Sequence, residues 1–168
     1  EIQHTLEEAA NRESALRLMV TSGSGPMTLD PTQARSPICV ILVRPYEAFP
    51  NRLYTEGMRL AVPGVRHNLR ASKDPAVKSG NYLNSVLALG QARKAGCDDA
   101  LLLNSEGLVA EATSANVFAW RQGRLCTPPL ATGLLEGVTR GLLLQLARQE
   151  AYDCVECEMT LDDLCESD

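Results

Sequence analysis

Residues 111–140 read EATSANVFAWRQGRLCTPPLATGLLEGVTR: a β-prone run, a Gln-Gly turn, a second such run and a Gly-containing loop. A turn at Gln122 and Gly123 between apolar flanks predicts neighbouring strands. Just upstream, DDALLLN (98–104) ends in a Glu-Gly turn and leads into LVAEATSANVFAW (108–120). Three strand candidates therefore follow one another, the third being RLCTPP (124–129). Downstream, the loop ATGLLEG (131–137) opens on a helix expected over 138–149, and CVECEM (154–159) alternates like a further strand before TLDDLCESD starts another helical turn.

On the amino-terminal side, Ile2, Leu6, Ala9 and Ala10 recur at helical spacing, and ALRLMV (15–20) alternates like a strand. TSGSGPMTLDPTQARSP (21–37) has loop composition, ICVILVR (38–44) is an apolar strand, and PYEAFPN (45–51) is a second Pro-bounded stretch. MRLAVPGV (58–65) reads as a strand. The polar segment 66–81 then runs into a helix with Leu83, Val86, Leu87 and Leu89 on its apolar positions, continuing to Lys94 and stopped by Gly96. Strands come in groups instead of alternating strictly with helices, which indicates α+β architecture.

Composition sets the outer limits. The chain has 168 residues, 45% hydrophobic and 22% charged, with a net charge of −5. That is enough for a sizeable core and excludes a disordered tail or a fibre. An acidic total disfavours nucleic acid as a partner. The apolar runs fall far short of the ~20 residues needed to span a bilayer, so no membrane partner is expected and the chain reads as cytoplasmic. Cys154 and Cys157 form a CxxC, but no second CxxC or nearby His completes a metal site; the six cysteines read as reduced thiols and no metal is expected.

Three segments concentrate groups that one reaction could use together. Lys78 lies just before a helix, where a buried amine would lose basicity and become a nucleophile; taken alone it reads as a solvated surface lysine, as most lysines are. Glu111 occupies a strand interior among small side chains, where an unpaired carboxylate is costly, so something cationic should face it. Gly137, Val138 and Thr139 open a helix whose free N–H groups suit a phosphate, although a plain helix start has the same composition. Arg66 and His67 read as solvated loop residues, and Arg59, Arg70 and Arg140 as surface charges, with Arg140 also placed to brace the loop before it.

The combination is more specific than its parts. A lysine before NYL, a glutamate 33 positions later in ExxxxNVF, a TPP turn and then LLEGVTR resemble the class IV aminotransferases. These are the fold-type IV pyridoxal-phosphate enzymes, among them branched-chain aminotransferase, D-amino-acid aminotransferase and aminodeoxychorismate lyase. The resemblance is dense over 111–140 and extends more loosely over nearly the whole chain.

The resemblance implies a two-domain D-amino-acid-aminotransferase-like fold, present here as an internal fragment. Residues 1–50 would be the carboxyl-terminal part of the small α+β domain, 51–57 a linker and 58–168 most of a truncated large domain. It implies pyridoxal 5′-phosphate as cofactor. Lys78 would hold it covalently, yield it to the substrate amine and shuttle the proton, with Lys73 as the rival lysine. Glu111 would partner the pyridine nitrogen and supply the acid whose needed cation is that nitrogen. Gly137, Val138 and Thr139 match the phosphate cup, Leu135 the side chain on the ring face, Thr113 and Ser114 a strand edge beside the cofactor, and Tyr82 a partner for its phenolic oxygen. Asn116 is the signature asparagine, with a structural role.

The activity so implied is amino transfer between a small or branched-chain amino acid and a 2-oxo acid, in a homodimer. Two alternatives stand beside it: an aminodeoxychorismate lyase releasing pyruvate and 4-aminobenzoate, and a non-catalytic binding module. Where D-amino-acid aminotransferases place an Arg-x-His trap, this chain has Pro26, Met27, Thr28 and Leu29, and Ser22 stands where many relatives carry arginine. NYLN after the lysine is closer to transaminases than to lyases.

Overall fold

The computed structural model describes residues 1–68, 77–78 and 80–168. Arg70 and Lys73 lie outside the described residues. The chain divides into two compact units, Glu1–Thr55 and Glu56–Asp168.

The first unit begins with α1 (Ile2–Ala9), followed by an antiparallel ribbon of β1 (Ser14–Thr21) and β2 (Ile38–Pro45). The register runs without a break from Ser14 opposite Pro45 to Thr21 opposite Ile38. The loop between the strands is closed by a bridge between Ser24 and Arg35, beside which Gly23 takes φ +98° with no space for a Cβ against the Arg35 and Ser36 carbonyls. Within it the Asp30 carboxylate accepts from the Thr32 hydroxyl and, at 2.9 Å, from the Thr32 N–H; both bonds hold it below the usual carboxylate range. The expected linker at 51–57 contains a single helical turn, α2 (Arg52–Thr55).

The second unit contains β3 (Leu60–Ala61), α3 (Leu83–Lys94), β4 (Asp99–Leu103), β5 (Val109–Ala112), β6 (Ala119–Arg121), β7 (Arg124–Thr127), α4 (Val138–Gln149), β8 (Cys154–Glu156) and α5 (Leu161–Cys165). One sheet has the order β3-β4-β5 and another β6-β7-β8. β3 lies parallel to β4 and β8 parallel to β7, while β4–β5 and β6–β7 are antiparallel.

β4 organises the core because both its faces are covered. Leu101 and Leu103 pack with Val109, Ala119, Cys126 and Met159, whereas Ala100 and Leu102 pack with Ala88 and Ala92 of α3. This is why DALLL is a nearly continuous apolar run and not an alternating one. The small side chains of Ala88 and Ala92, both fully buried, let α3 approach the sheet closely. On α4 the buried residues are Arg140, Leu144 and Ala147, a stripe at i, i+4 and i+7.

Two strand expectations change. LVAEATSANVFAW is not one strand: β5 ends at Ala112, where its N–H turns back to the Ala115 carbonyl at 2.8 Å, and β6 starts in the other sheet at Ala119. The strand expected at 58–65 shrinks to Leu60–Ala61, since Pro63 has no N–H to offer a ladder.

Candidate functional site

The break between β5 and β6 creates the site. A cavity of about 650 Å³ lies in the second unit, within the range of small-ligand pockets. Its wall takes Lys78 and Tyr82 from the approach to α3, and Glu111, Thr113 and Ser114 from the end of β5 and the turn after it. Leu135, Gly137, Val138 and Thr139, from the loop and first turn of α4, complete it. Every sequence-expected site position thus faces one space, although they come from separate parts of the chain.

Glu111 is the best-anchored of them. It sits opposite Leu102 in the β4–β5 pair. Its Oε2 accepts the Leu135 N–H at 3.0 Å and Nδ2 of Asn116 at 3.3 Å. Its Oε1 is 2.9 Å from Nε2 of His67, and both side chains are largely buried, 16% and 17% exposed. His67 is therefore not the solvated loop residue expected. Its N–H donates to the Leu103 carbonyl at 2.8 Å, which pins the segment to β4. Nothing local in the sequence announces this pairing, because the partners are 44 positions apart. The one signal was the demand of Glu111 for a cationic neighbour.

Asn116 ties the acid to the helix start. Its Nδ2 donates to the Leu135 carbonyl at 2.9 Å as well as to Glu111, and its Oδ1 occupies the space that a Cβ on Gly137 would need. Gly137 has an ordinary φ of −71°, so its requirement is close approach and not backbone freedom. It caps α4 without a side-chain hydrogen bond, leaving the first N–H groups of the helix, those of Val138 and Thr139 among them, without intrahelical acceptors and with the positive end of the helix dipole behind them.

Arg140 is not a surface charge. It is 4% exposed, lines the cavity, and donates from Nη2 to the Pro128 carbonyl at 2.8 Å and to Glu156 at 2.6 Å. Its Nε has no hydrogen-bond partner among the described residues, a costly state for a buried donor. Thr113 directs its hydroxyl to Asp99, so its side chain braces β5 against β4.

Lys78 differs from expectation in burial. It is exposed, with Nζ 6.0 Å from the centre of the Tyr82 ring, and not buried as the nucleophile reading expected. Among the described residues no group of His, Cys, Asp and Glu is arranged to hold a metal ion, and no helix is long and apolar enough to cross a membrane. All six cysteines are free.

An amine and a clamped carboxylate around one cavity with an anion-attracting helix start belong to a recognisable class. The family model described as amino-transferase class IV matches residues 1–168, and the chain belongs to that family. It is 40% identical over 167 residues to a Methanocaldococcus jannaschii protein named "Putative branched-chain-amino-acid aminotransferase", covering 99% of this chain and 57% of that protein. Among solved structures it superposes on the branched-chain aminotransferase of Thermoproteus uzoniensis with norvaline at a TM-score of 0.87 and 32% identity, over 98% of this chain and 55% of the other. It also superposes on the branched-chain amino acid aminotransferase of Thermobaculum terrenum in its PLP form at a TM-score of 0.79 and 28% identity, covering 92% and 50%. The mixed helix and strand fold is that of class IV aminotransferase structures, and the chain spans about half the length of the relatives it matches.

Proposed function

We propose that this chain forms the cofactor-binding part of a pyridoxal-phosphate aminotransferase that moves an amino group between a small or branched-chain amino acid and a 2-oxo acid. The observation that carries this reading is the single cavity into which Lys78, Glu111 and the start of α4 all face. Three features suit a flat, anionic cofactor: a clamped carboxylate, a helix start pressed against Asn116 too closely for a Cβ at Gly137, and the buried donor Nε of Arg140. Bound there, pyridoxal phosphate supplies an electron sink for the charge left when a substrate Cα loses its proton.

The residues divide the work. Val138 and Thr139 hold the phosphate through the N–H groups of the α4 start, Leu135 packs on the ring, Glu111 faces the ring nitrogen, and the Tyr82 hydroxyl meets the phenolic oxygen. Lys78 carries the cofactor and afterwards takes and returns the Cα proton. Its exposure suits that second task, because the amine has to reach a substrate. Thr113 and Ser114 border the cofactor from the strand edge.

The same reading assigns 1–50 to the end of a small domain, 51–57 to a linker and 58–168 to most of a large domain, in a cytoplasmic homodimer. Free thiols support the reducing compartment. Leu83 and Val86, each 62% exposed on α3, support burial against another surface.

The test loads the intact protein with pyridoxal phosphate. A visible absorbance band should disappear in Lys78→Ala and persist in Lys73→Ala, and leucine with 2-oxoglutarate should yield glutamate. The opposite lysine pattern removes Lys78 from the role. Steady pyruvate release from aminodeoxychorismate without any amino acceptor replaces transfer by elimination.

A further inference from the structure

The carboxylate of Glu111 has a countable set of partners. A carboxylate offers about four lone-pair sites, two on each oxygen. Oε2 takes two donors, from Leu135 and Asn116, and Oε1 faces Nε2 of His67. Among the described residues the one acceptor site left is on Oε1, the oxygen that His67 touches.

Two of the contacts of its ring bear on the protons of His67. Nδ1 stands 3.2 Å from the carbonyl oxygen of Asn68, which can only accept, so Nδ1 carries a hydrogen. An ionised Oε1 can also only accept, so Nε2 carries one too. With Oε1 ionised, these two contacts together call for an imidazolium, a cation that the protein itself would set beside the strand-interior acid. A neutral ring with a bare Nε2 would instead require a proton on Oε1, which would close the last acceptor site.

The ring is also held still. The His67 N–H is bonded to the Leu103 carbonyl of β4 at 2.8 Å. From α3, Asn84 donates through Nδ2 to the Arg66 carbonyl at 3.0 Å and to Oδ1 of Asn68 at 2.9 Å, fixing the residues on either side of His67. The histidine is thereby mounted on two elements of the core while its Nε2 meets the acid.

We propose that His67 is a positioning residue for Glu111: its Nε2–H fixes Oε1 so that the remaining lone pair of that oxygen serves a cationic nitrogen of the bound cofactor ring. This rests on the reading of Glu111 as partner of the ring nitrogen. It assigns His67 no contact with substrate or cofactor. Its effect passes through the charge and direction of one oxygen, where two charge-assisted hydrogen bonds meet.

Two measurements test it. In the apoprotein at neutral pH, 15N NMR of the His67 ring should show both nitrogens protonated, and Glu111→Gln should return the ring to a neutral tautomer. A neutral His67 ring in the unaltered protein overturns the proposal. In the second measurement the apoprotein binds either pyridoxal phosphate or its 1-deaza analogue, which has carbon in place of the ring nitrogen. The unaltered protein should prefer the nitrogen ring, Glu111→Gln should abolish the preference, and His67→Phe should cut it at least tenfold, equivalent to ~1.4 kcal/mol. His67→Gln, which keeps an N–H donor at similar reach, should restore most of it, and failure to do so overturns the positioning role. No preference in the unaltered protein sinks the reading of Glu111 and this proposal together. A preference lost in Glu111→Gln but intact in His67→Phe overturns the role of His67 alone. Should His67→Phe not fold, the NMR of the unaltered protein and the His67→Gln comparison still decide.

Discussion

Arg140, 4% exposed at the start of α4, donates to Glu156 at the end of β8 across 2.6 Å. The two residues bind the helix that borders the cavity to the last strand of the β6-β7-β8 sheet, and the Pro128 carbonyl takes a second bond from the same Nη2. Removing the guanidinium empties a buried site, while removing only the acid charge leaves the arginine one partner. Glu156 is also the more exposed member, at 36%. Glu156→Gln, which leaves a buried guanidinium without its counter-charge, should therefore destabilise by about 3 kcal/mol, the low end for a broken buried pair, and Arg140→Ala, which leaves the acid where water reaches it, by less. Urea unfolding of both variants and of the double variant measures the difference; equal losses would mean that the pair acts only as a unit.

Gly137 should tolerate nothing larger. A Cβ there would meet Oδ1 of Asn116, whose amide is already committed to Glu111 and to the Leu135 carbonyl and cannot swing away freely. Gly137→Ala should lose about 1–3 kcal/mol of stability and weaken pyridoxal-phosphate binding at least tenfold. Differential scanning calorimetry with a cofactor titration checks both, and binding should suffer even where an osmolyte restores the melting point.

Acid should loosen α5 by a defined route. Asp163 accepts from the backbone and then the hydroxyl of Thr160, and these bonds hold its carboxyl below the usual range. A depressed folded value means stability that is present above the unfolded value, near pH 4, and lost as pH falls through the folded one. Asp163→Asn should flatten the acid limb of the stability curve, and denaturant titrations between neutral and acid pH will show whether it does.

At the alkaline end the sign reverses. Burial, and next the hydrogen bond with Cys126, push the Cys157 thiol up; burial also raises Cys154. The contribution is complete below the ordinary thiol value, roughly pH 8.5, and is lost as pH rises through the raised one. Iodoacetamide at about pH 8, just below that ordinary value, should modify the exposed Cys39 and Cys165 before Cys157 and the buried Cys126, as read by mass spectrometry. Cys157→Ala should make stability fall less steeply in more alkaline buffer.

Much of the fold was legible where one residue type ended an element. Gly96, in a left-handed conformation at φ +72°, stops α3 as its position suggests, and the loop before Val138 announces α4. What could not be read locally depended on distant partners. The run 108–120 is β-prone throughout, yet Asn116 bonds to Leu135, 19 positions away, and the chain leaves one sheet for another. His67 has loop composition, and only the folded chain brings it to Glu111. Arg140 has the character of a surface residue, and its burial is set by Glu156 from β8. Motif spacing led to the cavity wall because those positions face a common space, whereas His67 lines the same space from outside the motif and only the fold brings it there.

The site has its weak point in the side-chain amide of Asn116, where one atom exchanged would turn attraction into repulsion. Hydrolysis to aspartate would replace the Nδ2 donor by an oxygen, set a second negative group 3.3 Å from Glu111 Oε2 and leave the Leu135 carbonyl facing an acceptor. The Leu135 N–H alone would then tether the acid to the segment that leads into the helix, and the wall so loosened would lose its grip on a ligand.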